Sequence, residues 1–207
     1  MALTATATPR VRMDILRQLK LTHCKWFLSS FNRSNLKYKV LPKKGASTIE
    51  DMRNFIRTQP STSSGIIYCL SRKECDDVAK KMSAAGIKAS AYHAGLADNL
   101  RESRQKDWIT NKYRVICATI AFGMGIDKPD VRFVLHYSMP KSIEGYYQEA
   151  GRAGRDGEIA ECILYYNYSD MMRYKKMMDG EFCYEKGFAN GKETILTFFE
   201  SFVFSRF

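Results

Sequence analysis

Hydrophobic positions along the chain change their period repeatedly, which predicts strands that alternate with helices. Residues 65–70 form a short, almost wholly apolar run, and residues 75–82 carry apolar side chains at helical spacing. The same reasoning predicts further strands at 26–31, 36–41, 88–92, 114–118, 132–137 and 160–166, and helices from 9, around 52–56, at 98–111, from 142 and from about 169. Strand–helix–strand repeats of this length indicate right-handed crossovers and a parallel sheet, so the predicted fold class is a three-layer α/β domain.

Local signals define the ends of one of these helices and the buried face of the next. Ser71 and Glu74 have the spacing of a capping box, which predicts where the helix that carries residues 75–82 begins. Gly86 predicts where it ends, because glycine readily adopts the left-handed conformation found after a helix. In the following helix, Trp108 and Ile109 are both expected to face the core.

The charge balance favours one class of partner. Lys and Arg number 33 against 22 for Asp and Glu, so the formal net charge is +11. A surplus of this size favours a polyanion such as nucleic acid, although on charge alone a merely soluble basic protein is an equal alternative. No apolar run reaches the roughly 18 residues that cross a bilayer, so no membrane partner is expected. The six cysteines include no C-x-x-C pair, so no zinc site is expected.

Cations and small hydroxyl side chains directly follow several of the predicted strands, among them Ser71, Arg72, Thr119 and Lys141. The carboxyl ends of parallel strands meet at one edge of a sheet, where ligands bind, so these side chains are expected to share a surface. A row of such groups suits a repeating phosphate backbone. Taken singly, Ser71 serves equally well as a helix cap, and a lone histidine such as His93 is more often structural.

The strongest local signal lies at residues 148–157, where Arg152 and Arg155 are each flanked by glycine. A guanidinium is permanently charged and binds phosphate oxygens as a fork, which suits a γ-phosphate in transfer. A basic loop that binds solvent or a structural carboxylate is the alternative. The sequence has no G-x-x-x-x-G-K-[ST] loop and no acidic segment typical of a Mg²⁺ site. If the arginines act on a nucleotide, its phosphate-binding loop is therefore expected on another domain.

Five runs resemble helicase motifs of the RecQ family, most closely those of its Bloom syndrome helicase branch. Residues 115–133 resemble motif V, and residues 146–157 resemble motif VI. Residues 65–72 resemble motif IV, residues 92–96 the short motif that follows it, and residues 3–7 motif III. The resemblance covers about residues 1 to 180.

The resemblance implies a RecA-like fold and a division of the chain into three parts. Residues 1–20 would be the tail of a first RecA-like domain, 21–168 the second RecA-like domain, and 169–207 a short helical extension that begins a truncated zinc subdomain. ATP and Mg²⁺ are expected to be bound mainly by the missing first domain, and no zinc is expected in this fragment. The implied activity is ATP-dependent 3′-to-5′ unwinding in the nucleus, in DNA repair and recombination, with single-stranded and branched DNA as partners.

The resemblance also implies roles for individual residues. Arg155 would be the arginine finger, Arg152 its phosphate-contacting neighbour and Gln148 the residue that couples nucleotide state to DNA. Gly125 and Asp127 would lie on the nucleotide side of motif V. The implied DNA-binding set is Lys44, Ser71, Arg72, Lys73, His93, Thr119, Lys141 and Ser142. The main alternative is a non-catalytic module that binds DNA or regulates a partner, and the motifs argue against the second lobe of an RNA helicase.

Overall fold

The computed structural model describes residues 9–27, 32–120, 122, 127–170 and 172. The chain divides into two compact units, Met1–Ser34 and Asn35–Phe207. In the first unit, helix α1 spans Pro9–Gln18. Trp26 and Phe27 have no regular structure, so the predicted strand does not begin at residue 26, and residues 28–31 lie outside the described residues. The run at 3–7 also lies outside them.

The second unit is built on a parallel sheet with helices between its strands, which confirms the predicted α/β fold class. Within the described residues, its strands are β1 (Leu36–Pro42), β2 (Ser64–Tyr68), β3 (Ala89–Tyr92), β4 (Val115–Ala118), β5 (Val131–His136) and β6 (Ala160–Tyr166). Its helices are α2 (Ala46–Thr58), α3 (Arg72–Ala84), α4 (Asp98–Ile109) and α5 (Ile143–Ala150). Residues 168–170 begin a further helical turn at about the predicted position, and most of the predicted C-terminal extension lies outside the described residues.

The strand order creates a crevice at the carboxyl end of β2. Across the sheet, the order is β1-β6-β5-β2-β4-β3. Strands β3 and β4 lie on one side of β2, whereas β5, β6 and β1 lie on the other. The connections that leave the ends of β4 and β5 therefore diverge around β2, and in open α/β sheets ligands bind at such a point.

Both faces of the sheet are covered, as the apolar pattern of the strands predicts. Ile67 packs on one face with Met52 and Met82 from the helices, and all three are essentially inaccessible. On the other face Trp108 is fully buried, and its indole N–H donates to the Gly65 carbonyl oxygen at 3.2 Å. The prediction that Ile109 also faces the core is wrong, because Ile109 is 39% exposed. Successive helical residues are rotated by about 100°, which turns this side chain away from the sheet.

The predicted capping box forms at the start of α3, with one difference. The Ser71 hydroxyl oxygen accepts from the Glu74 backbone N–H at 3.1 Å. The Glu74 carboxylate accepts instead from the Leu70 N–H, also at 3.1 Å, one residue before the cap. It accepts in addition from the Ser138 hydroxyl at 3.0 Å. Glu74 therefore connects the start of α3 to the segment after β5, on either side of the crevice.

Candidate nucleotide and nucleic-acid interface

A cleft of about 620 Å³ occupies the crevice at the carboxyl ends of β2, β4 and β5. Ser71, Arg72, Thr119 and Lys141 all line it, so the structure brings together four of the side chains predicted to share this edge. Arg72 and Lys141 are exposed, whereas Thr119 is buried. Two cations and two hydroxyls around one open cleft form a surface that can bind phosphate oxygens.

The other residues predicted at this edge lie outside the lining of the cleft. Lys73 is exposed in the first turn of α3, and Lys44 is exposed after β1. Ser142 caps α5, where its hydroxyl oxygen accepts from the Gly145 N–H at 2.9 Å. His93 is buried, with Nδ1 accepting from the Gly95 N–H and Nε2 lying 3.2 Å from the Asp76 carboxylate. Both ring nitrogens of His93 are thus engaged within the protein.

Two ionisable side chains that sequence reasoning missed also line the cleft. His136, the last residue of β5, is fully buried, and its Nε2 lies 2.8 Å from the carboxylate of Glu149 on α5. The His136 ring stacks on Tyr68, with ring centroids 5.2 Å apart and planes 19° apart. The available signal for His136 was a polar residue at the otherwise apolar end of β5, whereas Glu149 lies beside Gln148 and gave no such signal. A buried polar side chain needs a hydrogen-bond partner, and here His136 and Glu149 are partners of each other.

Tyr68 links the cleft to motifs V and VI. Its hydroxyl donates to the Phe122 carbonyl oxygen at 3.2 Å, and the Arg152 guanidinium lies close enough to affect the same hydroxyl electrostatically. Burial raises the pKa of the Tyr68 hydroxyl well above its ordinary value, although the positive charge of Arg152 opposes the shift. Tyr68 therefore stays a neutral donor and acceptor, and Arg152 is directed into the domain.

Arg155 has a different environment, since it lies at the surface beside Asp127. Its Nη1 donates to Asp127 Oδ1 at 2.8 Å, and the two side chains are 36% and 82% exposed. The structure thus joins the residues predicted for the nucleotide side of motif V and for the arginine finger. Gln148 is exposed on α5, and Gly125 lies outside the described residues.

A buried lysine next to Asp127 anchors the segment between β4 and β5. The Lys128 side chain is 4% exposed, and its ammonium group makes several contacts. It donates to Asn111 Oδ1 at 2.9 Å and to Asp130 Oδ2 at 3.1 Å. It also lies over the Trp108 ring, 5.6 Å from the centroid. These contacts fix the backbone from which Asp127 reaches Arg155.

The cysteines near the cleft belong to the core. Cys69, Cys75 and Cys117 are buried, and the Cys75 thiol donates to the Cys117 carbonyl oxygen at 2.7 Å. Burial raises the pKa of the Cys75 thiol to about 12. Among the residues that the structure describes, no group of three His, Cys, Asp or Glu side chains is placed to hold a metal ion. None of the described helices is long and apolar enough to span a membrane.

Comparison with known proteins identifies the family. Residues 47–157, from α2 to the end of the motif VI loop, match the helicase conserved C-terminal domain. The chain belongs to that family. It is 57% identical over 178 residues to the RecQ-like DNA helicase blm-1 of Caenorhabditis elegans, covering 86% of this chain and 18% of that protein. It is 58% identical over 182 residues to the RecQ-like DNA helicase BLM of Xenopus laevis, covering 87% of this chain and 13% of that protein.

These relatives confirm that the chain is a helicase C-terminal domain of the RecQ type, and the chain spans less than a fifth of either protein. Solved structures agree on the fold. Saccharomyces cerevisiae Dbp5 bound to RNA and ADP BeF3 superposes with a TM-score of 0.68 at 20% identity, covering 84% of this chain and 47% of that chain. The RNA-helicase Prp28 from Chaetomium thermophilum bound to ADP gives 0.60 at 22% identity, covering 86% and 44%. The helicase C-terminal domain of this chain is therefore RecA-like.

Proposed function

We propose that this chain is the second motor domain of an ATP-dependent 3′-to-5′ DNA helicase. The observation that carries the proposal is the presence of two separate cationic sites on one RecA-like domain. One is the cleft with Arg72 and Lys141, and the other is Arg155, which is paired with Asp127 at the surface. A motor that grips a polyanion and senses a nucleotide needs both kinds of site.

Arg155 is proposed to act as the arginine finger. Its guanidinium is partly exposed and paired with an exposed carboxylate. Because such surface ion pairs contribute little free energy, an incoming phosphate can replace Asp127 as the partner of Arg155. ATP supplies the phosphoryl group that is transferred, and a guanidinium spreads positive charge over the oxygens on which negative charge accumulates. A partly exposed guanidinium whose carboxylate partner is 82% exposed fits an anionic phosphate chain. Mg²⁺ would be held by the phosphates of ATP and mainly by the first domain, so no step is assigned to it here.

The cleft is proposed to hold part of a single-stranded DNA track. Exposed Arg72 and Lys141 supply charge-assisted hydrogen bonds to phosphate, and the Ser71 and Thr119 hydroxyls add neutral ones. Lys73 follows β2, Ser142 follows β5 and Lys44 follows β1 at the side of the sheet, so these residues would extend the track along the same carboxyl edge. Groups of this kind bind the backbone without reading the bases, as expected of a protein that moves along a strand.

We infer the domain arrangement from the resemblance to RecQ-family helicases. Residues 1–20 would belong to a first RecA-like domain and 21–168 to the second, with residues 169–207 leading into a zinc subdomain. The first domain would provide the phosphate-binding loop and Mg²⁺, so the 207-residue chain alone is expected to bind DNA without hydrolysing ATP. We place the parent protein in the nucleus, acting on single-stranded and branched DNA in repair and recombination.

The DNA track is tested by binding a fluorescently labelled oligothymidylate to the 207-residue chain at several salt concentrations. Arg72→Ala and Lys141→Ala should each weaken binding and reduce the salt slope by about one contact. Lys88→Ala is the matched control, because Lys88 is an exposed lysine at the amino end of β3, on the opposite edge of the sheet. Equal affinities and equal slopes for all three variants would contradict the proposed track.

The catalytic role is tested in a chimera in which this chain replaces the matching segment of the Xenopus laevis BLM relative. DNA-stimulated ATP hydrolysis by the chimera would support a motor domain. Failure of a folded, DNA-binding chimera to hydrolyse ATP would favour the alternative, a non-catalytic module that binds DNA or regulates a partner.

A further inference from the structure

The loop that carries Arg155 is held at both ends by a single side chain from a distant part of the chain. Asn35 lies just before β1, and its Nδ2 donates to the Gly154 carbonyl oxygen and to the Glu158 carbonyl oxygen, each at 2.9 Å. Gly154 and Glu158 bracket Arg155, so one amide group connects the start of the loop to its end. The loop thus has a fixed span that does not depend on the Arg155 side chain.

Gly154 lets Asn35 approach this closely. It has a positive φ of 54°, and a Cβ added at this position would come within 2.6 Å of both Asn35 Nδ2 and the Glu158 carbonyl oxygen. The Gly154 N–H donates to the Val131 carbonyl oxygen at 2.9 Å, which fixes the loop to the start of β5. Any side chain at residue 154 would therefore displace the asparagine.

A second side chain holds the middle of the loop. Arg132 Nη2 lies 2.6 Å from each carboxylate oxygen of Asp156, the residue that follows Arg155. The same guanidinium donates to the carbonyl oxygens of Pro129 and Ile159, each at 3.3 Å. Its hydrogen bonds to Asp156 hold the pKa of that carboxyl below its ordinary value. Arg132 is only 18% exposed, so it is itself fixed in place.

We propose that Asn35 and Arg132 are positioning residues that preset the location of Arg155 before a nucleotide binds. The inference rests on the proposed role of Arg155. The surface ion pair with Asp127 is too exposed to define a position by itself, because such pairs contribute little. The backbone of the loop is fixed instead by Asn35 and Arg132. An arginine that must reach a transferring phosphoryl group benefits from such a support, since small misplacements cost large factors in rate.

The first test measures hydrogen exchange in the 207-residue chain, on peptides that cover residues 154–160. Asn35→Ala removes both donors and should speed exchange there by about tenfold or more, while exchange in α3 stays unchanged. Asn54→Ala is the matched control, because Asn54 is exposed in α2. Unchanged exchange at residues 154–160 in Asn35→Ala would overturn the proposed positioning. If Asn35→Ala fails to fold, Asp156→Asn keeps the side-chain shape and should give a smaller increase in exchange at the same peptides.

The second test measures ATP hydrolysis in the Xenopus laevis BLM chimera. Asn35→Ala should lower kcat by about tenfold or more, with the KM for ATP and the Kd for DNA changed by less than about twofold. Adding Arg155→Ala to this variant should give no slower turnover than Arg155→Ala alone. Unchanged kcat in Asn35→Ala, or fully additive losses in the double variant, would overturn the positioning role.

The two tests separate the inference from the proposed function. Normal ATP turnover in Arg155→Ala alone would refute the arginine-finger role of Arg155. It would also refute a catalytic role for Asn35 and Arg132, whatever the hydrogen-exchange data show. Unchanged hydrogen exchange in Asn35→Ala would refute the claim that Asn35 fixes the backbone of the loop, whatever the turnover of Arg155→Ala.

Discussion

Replacing Glu149 by alanine is predicted to destabilise the domain far more than the same change elsewhere on α5. Glu149 is 8% exposed, and its carboxylate is the hydrogen-bond partner of His136 Nε2 at 2.8 Å. His136 is fully buried, and its Nδ1 already has no hydrogen-bond partner. Glu149→Ala would therefore leave a buried imidazole with neither nitrogen paired.

The expected cost follows from this geometry. An unsatisfied buried polar group costs about 1–3 kcal/mol, and Nε2 of His136 would become such a group. Because His136 is fully buried, we expect the upper end of this range, a loss of about 3 kcal/mol in the free energy of unfolding. For a domain of this size, about 2–4 °C of Tm per kcal/mol gives a fall of about 6–12 °C.

Urea unfolding followed by circular dichroism measures this loss, provided the m-value stays constant. Glu144→Ala is the control, since Glu144 is an exposed glutamate in the first turn of the same helix. Its only expected loss is a favourable helix-dipole interaction of about 0.3–1 kcal/mol. Glu149→Gln keeps an acceptor oxygen and should fall between the two. Equal costs for Glu149→Ala and Glu144→Ala would refute the reasoning.

Further predictions concern the core, the thiols and the motif VI loop. Gly65→Ala would drive a methyl group into the Phe133 ring and should cost roughly 1–3 kcal/mol in urea unfolding, part of which Phe133→Leu should restore. A maleimide at pH 8 should label exposed Cys24 rapidly but Cys75 only after unfolding, as peptide mass spectrometry would show, and equal labelling would contradict the burial. The pKa of Asp156 is lowered by its arginine partner, so the stability difference between wild type and Asp156→Asn should persist from neutral pH down to about 4 and disappear below it. A difference that grew on acidification would have the wrong sign.

Most of the fold could be predicted from the sequence because its signals are local. Periodicity predicted the strands from β1 to β6 to within a residue or two, and Ser71 and Glu74 predicted the start of α3. The shared edge of Arg72, Thr119 and Lys141 also followed, because the carboxyl ends of parallel strands must meet. Ile109 was misplaced because periodicity alone does not show where the buried stripe of a helix ends.

The contacts that hold the candidate site could not be predicted from the sequence. Asn35 and Gly154 are separated by 119 positions, and the pairing of β1 with β6 determines that they meet. His136 ends an apolar strand and Glu149 follows Gln148 on α5, so neither position reveals the other, and their distance depends on how α5 packs against the end of β5. Pattern reasoning identifies residue types at strand ends, but partner choice across the sheet requires the assembled structure.

The central claim is that Arg155 acts on the phosphoryl group transferred from ATP while the cleft holds the DNA. The most direct measurement is single-stranded DNA-stimulated ATP hydrolysis by the Xenopus laevis BLM chimera, with DNA affinity followed in the same samples. Arg155→Ala should lower kcat by about 10³ or more and leave the Kd for DNA nearly unchanged. Arg155→Lys should restore little of the lost kcat, since an ammonium cannot bind two phosphate oxygens in the planar geometry of a guanidinium. Near-normal turnover in Arg155→Ala would contradict the account.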